Sequence, residues 1–411
     1  MTGTAAFKRL LAAAAAVSAA SAFAAFAQSE TASLQKAIDD ASAAGGGRVT
    51  VAAGVHDCGT LRLKSGVELH LAEGAVLRGG AKSDDYDDVP DSEGIRPEGS
   101  DKAFIVADGA ENIAVTGGGV IDGRGTEFFD RSTVLWGYWW KKPPCPRPRL
   151  LQFNRCRGVR LEGVTCRDPA NWTMWLRLCT NVTVKALCID AVPKITNSDG
   201  IDFDGCRHVR VSGCRFSCGD DCIALRAMKG TAGFPVVCED IVVENCEFES
   251  SFHAVRIGCP SDDTVRDAVF RNIKFRGRTA VVAQQPDRYV DKRIGGNLVT
   301  ANLVFENWTA LCYGNPLQIW VADGLKLRDF GHMTFRNFTF TAGLPLIVRG
   351  CAETTVKDVV FENVVGATAD ATPLEIKKVS GLEMNGVHVS SDSPSAPTME
   401  QLLARWKNWK D

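Results

Sequence analysis

The sequence has almost no net charge and, past its first 27 residues, no long apolar run. Of its 411 residues, 47 are Lys or Arg and 49 are Asp or Glu, which gives a net charge of -2 and a pI near 6.3. Without a basic field over its surface, the protein is not expected to bind nucleic acid. No later segment approaches the roughly 18 unbroken apolar residues of a membrane-spanning helix, so none is expected in the mature chain.

The first 27 residues have the pattern of an export signal. Lys8 and Arg9 precede an Ala-rich apolar run from Leu10 to Ala24, and Ala25-Phe26-Ala27 offers small residues for cleavage before Gln28. We therefore expect a signal peptide over residues 1–27 and an exported protein, periplasmic or extracellular. An uncleaved membrane anchor is the alternative, but the apolar run is short for that role.

The sequence also has little helical periodicity. Instead, short runs of alternating apolar and polar residues repeat along it. One apolar position recurs at intervals of 23 to 35 residues, apart from one interval of 46 that we interpret as a turn of a coil plus a long loop. The recurring residues are Val115, Leu161, Val184, Val211, Val243, Phe270, Phe305, Phe335, Phe361 and Met384. Units of this size cannot enclose a core alone and must stack. The sequence therefore predicts an all-β, single-domain, right-handed parallel β-helix over residues 28–397.

Fifteen cysteines would suggest disulfides in an exported protein, but their spacing follows the repeat. One series is Cys156, Cys179, Cys206 and Cys238, and a second is Cys166, Cys188, Cys214 and Cys246. We predict that most of them are stacked interior thiols, because cysteine packs as a small buried hydrophobe. Pairing of some thiols, among them Cys218, Cys222 and Cys259, remains open.

Asparagines also recur at the ends of these runs. They are Asn245, Asn272, Asn307, Asn337 and Asn363. Asparagine tolerates left-handed turns, so we predict a ladder of side chains with a structural role only.

The two ends of such a coil are open sheet edges, so we expect capping elements there. Residues Ser33 to Ala44 read as an amphipathic capping helix that stops at Gly45-Gly46-Gly47. The tail over residues 398–411 reads as a second capping helix, and carbohydrate binding by its Trp406 and Trp409 is the alternative.

Three acids are placed to meet on neighbouring turns of this coil. Asp199 and Asp220 are 21 residues apart, close to one repeat, and Asp221 is adjacent to Asp220. His253 follows Asp220 by 33 residues, one repeat plus a loop. Glycosidic hydrolysis needs one protonated carboxylic acid and at least one ionised carboxylate. We therefore predict a catalytic group of Asp199, Asp220, Asp221 and His253, with Asp202 and Asp204 in turn or supporting roles.

At these residues the chain resembles glycoside hydrolase family 28, the polygalacturonase and rhamnogalacturonase family. Asn197-Ser198-Asp199-Gly200 is similar to its N-T-D-G motif, and Gly219-Asp220-Asp221-Cys222 keeps its G-D-D-C motif. Phe252-His253-Ala254 retains only the histidine of its G-H-G element, with Ile257-Gly258 following. Similar segments also begin at Gly118, Trp139 and Ala170.

The resemblance implies that Asp220 is the general acid and that Asp199 and Asp221 hold and deprotonate the attacking water. It implies inverting hydrolysis of pectic polysaccharide or oligosaccharide, without a metal or other cofactor, and His253 would tune the acid. We also expect a monomer with Asn197 in the substrate site. The exact sugar and endo or exo cleavage stay open.

The chain departs from the family at its R-I-K motif, whose cations bind the galacturonate carboxylate. Residues 279–284, where the motif should fall, contain no cation. Candidate replacements are Arg226, Lys229 and Arg256, followed by Arg288, Lys292 and Arg293. The sugar at the cleaved bond is therefore either not a uronate or has its carboxylate bound differently.

Aromatic residues near the acids are candidates to stack on sugar rings. They are Trp136, Tyr138, Trp139 and Trp140, with Trp320 on a later turn and Lys141 and Lys142 beside the first group. We select Trp139 and Trp140 as substrate-binding residues.

Two other functions fit a β-helix. A polysaccharide lyase would need a Ca²⁺ site and an Arg or Lys base beside a uronate. A non-catalytic carbohydrate-binding protein would explain the missing R-I-K motif, although three intact acids argue against lost chemistry.

Overall fold

The computed structural model describes residues 28–135, 138–258, 260–285, 296–391 and Gln401. The predicted signal peptide, Trp136, Cys259, the loop with Arg288, Lys292 and Arg293, and all of the predicted tail helix except Gln401 lie outside the described residues. None of the helices in the described ranges is long and apolar enough to cross a membrane.

Strands account for most of the described chain. One α-helix, α1, covers residues 28–43, and three short 3-10 turns cover Ser83–Asp85, Pro97–Gly99 and Gly125–Phe128. The first strands are β1 Gly47–Val51, β2 Gly54–Asp57, β3 Leu61–Arg62, β4 Val67–Leu71, β5 Ala75–Arg78, β6 Ala103–Asp108, β7 Glu111–Gly117, β8 Val120–Asp122, β9 Asp130–Leu135 and β10 Trp139–Lys141. The next are β11 Arg149–Asn154, β12 Arg157–Glu162, β13 Thr165–Arg167, β14 Met174–Arg177, β15 Thr180–Lys185, β16 Cys188–Asp190, β17 Ile201–Asp204, β18 Arg207–Ser212, β19 Arg215–Cys218, β20 Ile223–Arg226 and β21 Val237–Ile257. The last are β22 Thr264–Gln285, β23 Gly296–Cys312, β24 Leu317–Val321, β25 Leu327–Asp329, β26 Gly331–Ala342, β27 Leu346–Arg349, β28 Val356–Thr368, β29 Leu374–Lys377, β30 Val379–Ser380, β31 Glu383–Asn385 and β32 His388–Ser390.

Each turn of the coil contributes one strand to each of three parallel sheets, because each run pairs with the equivalent run one turn later. Sheet A consists of β3, β6, β11, β14, β17, β20, the carboxyl ends of β21 and β22, and then β24, β27 and β29. Sheet B contains β12, β15 and β18, and sheet C contains β13, β16 and β19, with their stacked equivalents. The predicted right-handed parallel β-helix is confirmed.

The predicted repeat matches the register of sheet B at every position. Val115 pairs with Leu161, so the interval of 46 residues is one turn with a long loop. Later members pair in the same order, down to Phe361 with Met384. Two earlier turns, with Val49 and Leu69 in the same column, were missed. Inside the coil, the Phe305 and Phe335 rings stack with centroids 4.9 Å apart.

The prediction of interior thiols is confirmed for the first cysteine series. Cys179, Cys206 and Cys238 donate to carbonyls of the preceding turn, at 3.3, 3.1 and 3.4 Å. The second series is wrong as a single column, because Cys166 pairs with Ile189 and Cys188 pairs with Arg215, so that only Cys214 and Cys246 occupy equivalent positions. Since successive strand residues point to opposite faces, Cys188 points outwards and is half-buried. The 14 described cysteines, including Cys218 and Cys222, are free thiols.

The asparagine ladder is also confirmed. Each Nδ2 group donates to the Oδ1 atom of the asparagine one turn earlier, at 2.9 to 3.2 Å, from Asn272 to Asn245 and on to Asn363 and Asn337. All five residues have positive φ, which asparagine tolerates better than most residues. The ladder therefore stabilises the bends between sheets B and C.

Helix α1 covers the first turn, as predicted, but includes residues 28–32, ahead of the expected start at Ser33. These extra residues contact the coil: Thr31 accepts a hydrogen bond from the backbone of Gly59. Ile38 is fully buried, and the Gln35 side chain bonds both the N–H and the carbonyl of Arg62. The Gln35 side chain thereby makes the hydrogen bonds that a neighbouring strand would make at the edge of sheet A.

Candidate active site

The predicted catalytic residues lie where sheet C turns into sheet A. Asp199 and Asp221 each stand two residues before a strand of sheet A, β17 and β20. The N–H of Gly200 bonds the Asp221 carbonyl, and the N–H of Cys222 bonds the His253 carbonyl. Asp199, Asp221 and His253 therefore occupy one column on three successive turns. The sequence analysis paired Asp199 with Asp220, one residue away from the observed register.

The three acids converge. One carboxylate oxygen from each of Asp199, Asp220 and Asp221 lies within 4.8 Å of the other two. Asp199, Asp221 and His253 are 2%, 3% and 4% exposed, while Asp220 is only half-buried. Asp220 is therefore the acid of this cluster with the best access to solvent.

Asp221 is the stabilised anion of the cluster. Its Oδ1 atom is 2.6 Å from Nδ1 of His253. Burial opposes ionisation, but Arg256 and His253 outweigh it and lower the pKa of Asp221 below its ordinary value. Burial lowers the pKa of His253 to about 4, so its imidazole is neutral near pH 7 and can donate its Nδ1 proton.

Asp220 has the opposite environment. Burial and the neighbouring charge of Asp221 raise the pKa of Asp220 to about 7. Its Oδ2 atom accepts the backbone N–H of Asn197 at 3.2 Å. Burial and the nearby acids, first Asp202, also raise the pKa of Asp199 well above its ordinary value. The cluster therefore carries its negative charge on Asp221 and keeps a proton available on Asp220.

Arg147 holds the backbone beside Asp220, and the sequence analysis missed it. Its guanidinium donates to Asn197 Oδ1 at 3.0 Å and to the carbonyls of Thr196 and Ala170 at 2.8 and 2.7 Å. Asn197 has a φ of 58°, which asparagine tolerates, and the bond from Arg147 fixes the position of its side chain. Arg147 lies in the Pro-rich loop before β11, and no spacing pattern connects it with the acids.

Two of the predicted substrate cations are buried among the acids. Arg226 donates from Nε to Asp202 at 2.6 Å, lies 3.4 Å from Asp199, and stacks over the Trp172 ring. Arg256 is 6% exposed, with Nη1 3.4 Å from Nδ1 of His253. Lys229 is exposed, and its backbone N–H bonds Asp262. Arg226 and Arg256 therefore contribute to the electrostatics of the acid cluster.

One of the predicted aromatic residues, Trp139, forms a wall with Phe252 beside His253. The hairpin of β9 and β10 carries Trp139, whose ring lies 5.8 Å from Phe252, and Phe252 lies 4.1 Å from the His253 ring. Trp140 packs against Lys194 at 5.8 Å. Tyr138 is buried with its hydroxyl 2.7 Å from that of Ser251, so it supports the hairpin.

A cation that the sequence analysis passed over stands at this wall. Arg278 is exposed, its guanidinium lies 4.7 Å from the Phe252 ring centroid, and its charge helps to lower the pKa of His253. The following residues Thr279, Ala280 and Val282 are buried and carry no charge. Arg278 directly precedes the segment in which the R-I-K motif was sought, which is why it was missed.

Comparisons with known proteins agree with this fold. The chain is 26% identical to an endo-polygalacturonase of Pectobacterium parmentieri, over 85% of this chain and 87% of that protein. Its fold matches an exopolygalacturonase from Thermotoga maritima with a TM-score of 0.71 and 22% identity, over 87% and 88% of the two chains. It matches a polygalacturonase from Erwinia carotovora with a TM-score of 0.63 and 21% identity, over 87% and 91%. Residues 95–286 match the model described as Glycosyl hydrolases family 28, and together these findings support the assignment of the chain to that family of O-glycosyl hydrolases.

Proposed function

We propose that this protein hydrolyses pectic polysaccharides or oligosaccharides with inversion of the anomeric carbon. The observation that carries the proposal is the convergence of three carboxyl groups, with one oxygen of each within 4.8 Å of the others, in surroundings that lower the pKa of Asp221 and raise that of Asp220. A raised and a lowered pKa side by side are the electrostatic requirement of acid and base catalysis. The polygalacturonase activity named for the Pectobacterium relative supports the pectic substrate.

In this mechanism Asp220 donates its proton to the leaving glycosidic oxygen as that bond breaks. Asp221 accepts a proton from the attacking water, and Asp199 holds the water by a hydrogen bond. His253 positions Asp221 through the 2.6 Å contact and keeps it ionised. After the reaction the proton taken up by Asp221 has to return to Asp220 through solvent, to which Asp220 has access.

The spacing of the acids bears on the stereochemistry. Inverting enzymes usually separate their two carboxyl groups by about 6.5–9.5 Å, which leaves room for water. One oxygen of each acid lies within 4.8 Å of the other two, but this oxygen-to-oxygen distance is not the separation between carboxyl groups that distinguishes the two mechanisms. We favour inversion because two carboxyl groups remain for one water molecule after Asp220 is assigned as the acid.

The uronate carboxylate requires a cation, and Arg278 is our candidate. It is the exposed arginine at the Phe252 wall, and a guanidinium binds a carboxylate with two parallel hydrogen bonds. Trp139 and Trp140 are proposed to line the sugar site on the same side. We further propose that the protein acts as an exported monomer after cleavage at Ala27.

A substrate panel tests the proposal. Purified protein is incubated with polygalacturonate, rhamnogalacturonan and neutral side-chain oligosaccharides, and new reducing ends are counted. Hydrolysis of a pectic substrate that is retained in EDTA supports the proposal. An unsaturated, ultraviolet-absorbing product that requires Ca²⁺ would identify a lyase, and binding without cleavage would identify a carbohydrate-binding protein.

A further inference from the structure

The outer face of sheet A is closed on the turns before Asp199 and also along β17 and β20, where Asp202, Asp204 and Ala224 are fully buried. On the two turns before Asp199, the outward side chains are Gln152, Asn154, Trp175 and Arg177. They are 1%, 2%, 0% and 0% exposed. A polymer that crossed the active site along the coil would have to lie on these residues, so this path is blocked.

Residues 86–100, here called the cover segment, provide the block. Arg149 donates to the carbonyls of Pro97 and Ser100 at 3.2 and 2.8 Å, and Arg177 donates to the Ser92 hydroxyl at 3.1 Å. Ile95 packs on a cluster that includes Trp175. Because Arg149 and Arg177 are almost fully buried, displacing the segment would leave two buried cations without these partners. The cover segment is therefore a fixed part of the site.

The cover segment also contacts the loop that follows the aromatic hairpin. Glu98 Oε2 lies 3.2 Å from Lys142 Nζ, and both residues are exposed. The charge of Glu98 contributes to the raised pKa of Asp220, so the pair stands near the acids. Ser100 donates to the carbonyl of Arg147, the residue that holds Asn197. Glu98 and Lys142 therefore form the rim of the closed side.

On the other side of the acids, the outer face of sheet A has partly exposed side chains. Beyond the buried Val282, they are Gln284, Gln318, Trp320, Ile347 and Arg349. Arg349 lies over the Trp320 ring at 5.7 Å, which places a cation beside an aromatic face. This combination suits an acidic sugar chain, because the ring stacks on sugar and the guanidinium binds carboxylate.

We propose that the cover segment closes one end of the substrate site, which makes it a blind site. The enzyme would then remove sugar residues from one end of an acidic polysaccharide. The terminal sugar contacts Glu98 and Lys142, and the rest of the chain runs over later turns towards Trp320 and Arg349. This inference rests on the proposed pectic hydrolase function.

Product analysis on polygalacturonate tests the cleavage mode. An end-cleaving enzyme releases one short product from the first minutes, while viscosity falls slowly relative to the number of bonds cleaved. Oligogalacturonides modified with a bulky group at one terminus should be resistant, and those modified at the other terminus should be cleaved. Mixed oligomers with a rapid loss of viscosity would overturn the blind site and leave the hydrolase function intact. If no pectic substrate in the panel is hydrolysed, the proposed function itself fails.

A pair of variants tests the rim. Replacing both Glu98 and Lys142 by Ala should raise KM for short oligosaccharides roughly tenfold, the effect of losing one or two hydrogen bonds to substrate, with a smaller change in kcat. The matched control is replacement of Glu247 and Lys274 by Ala, an exposed pair at 3.3 Å on the outer face of sheet C. An unchanged KM in the rim variant, with the control also unchanged, would remove Glu98 and Lys142 from the recognition of the chain end.

Discussion

Nδ1 of His253 lies 2.6 Å from Oδ1 of Asp221, whereas Asp220 accepts a bond from the backbone N–H of Asn197. Asp220 and Asp221 are adjacent in sequence, yet the pKa of the first is raised to about 7 and that of the second is lowered. The difference arises because Asp221 faces His253 and Arg256, while Asp220 faces the charge of Asp221. Turn-by-turn stacking thus separates two neighbouring carboxyl groups into an acid and a base.

Replacing the acid should slow turnover strongly without unfolding the chain. Asp220→Asn keeps the shape of the side chain but cannot donate a proton, so kcat should fall by about two to four orders of magnitude. Steady-state hydrolysis measures the loss, and circular dichroism confirms the fold. Asp323→Asn, at an exposed site, is the control. Turnover near the wild-type rate in Asp220→Asn would remove Asp220 from its role.

The same variant should gain stability at alkaline pH. The pKa of Asp220 is raised in the folded state, so its contribution to stability is complete below the unfolded value of about 3.9 and is lost as pH rises through about 7. An amide does not ionise, so Asp220→Asn should melt at a higher temperature than the wild type at pH 8 and at the same temperature near pH 4. Thermal unfolding at both pH values makes the comparison. A lower melting temperature at pH 8 would contradict the pKa assignment.

The pH dependence of kcat/KM should reflect both acids. Asp220 must be protonated, so activity should decline about tenfold per pH unit above about 7. Asp221 must be ionised, and its lowered pKa should preserve activity to a lower pH than an ordinary aspartate would allow. His253→Gln removes a group that lowers the pKa of Asp221, and it should move the acidic limb to higher pH. An unchanged acidic limb in that variant would show that His253 does not tune Asp221.

The first-formed product should have the inverted anomeric configuration. With Asp199 and Asp221 assigned to water, no carboxylate remains to form a covalent glycosyl intermediate. Proton NMR during the first turnovers distinguishes the anomers before mutarotation. A retained anomer, or a glycosyl ester trapped on Asp199 or Asp221, would refute the mechanism.

Arg278 should discriminate in favour of a uronate. Arg278→Ala should raise KM for oligogalacturonides by roughly tenfold or more, since a charge-assisted hydrogen bond contributes about 1.5–3 kcal/mol. KM for a neutral oligosaccharide should not change. Arg271→Ala, at an exposed arginine paired with Glu244, is the control. Strong activity on polygalacturonate that survives removal of Arg278, Arg226, Arg256 and Lys229 would show that these side chains do not supply the counter-charge.

The sequence predicted the coil well because its signal is periodic. The column from Val115 to Met384 and the ladder from Asn245 to Asn363 depend on intervals, which survive variation in loop length. The error at Cys188 has the same origin, because an interval of about one turn does not fix register to one residue. A shift by one residue moves a side chain from the interior to the surface.

The acids proposed to be catalytic were recognisable from their motifs, but their surroundings were not. Arg147 reaches the site from a loop, where no interval relates it to the acids, and Arg278 lies one residue before the segment in which the R-I-K motif was expected. Arg226 was expected at the substrate, and the structure places it between Asp199 and Asp202. Such placements depend on how separate loops pack together, which a repeat does not specify.

The buried thiols inside the coil can also be used to detect local unfolding of this protein. Burial raises the pKa of Cys238 to about 12 and that of Cys179 well above its ordinary value, and only a thiolate reacts readily with alkylating reagents. Each of these thiols is also bonded to the turn before it. Its labelling rate therefore measures how often two particular turns separate. Cysteines distributed along the coil act as native reporters of where a solenoid begins to unwind.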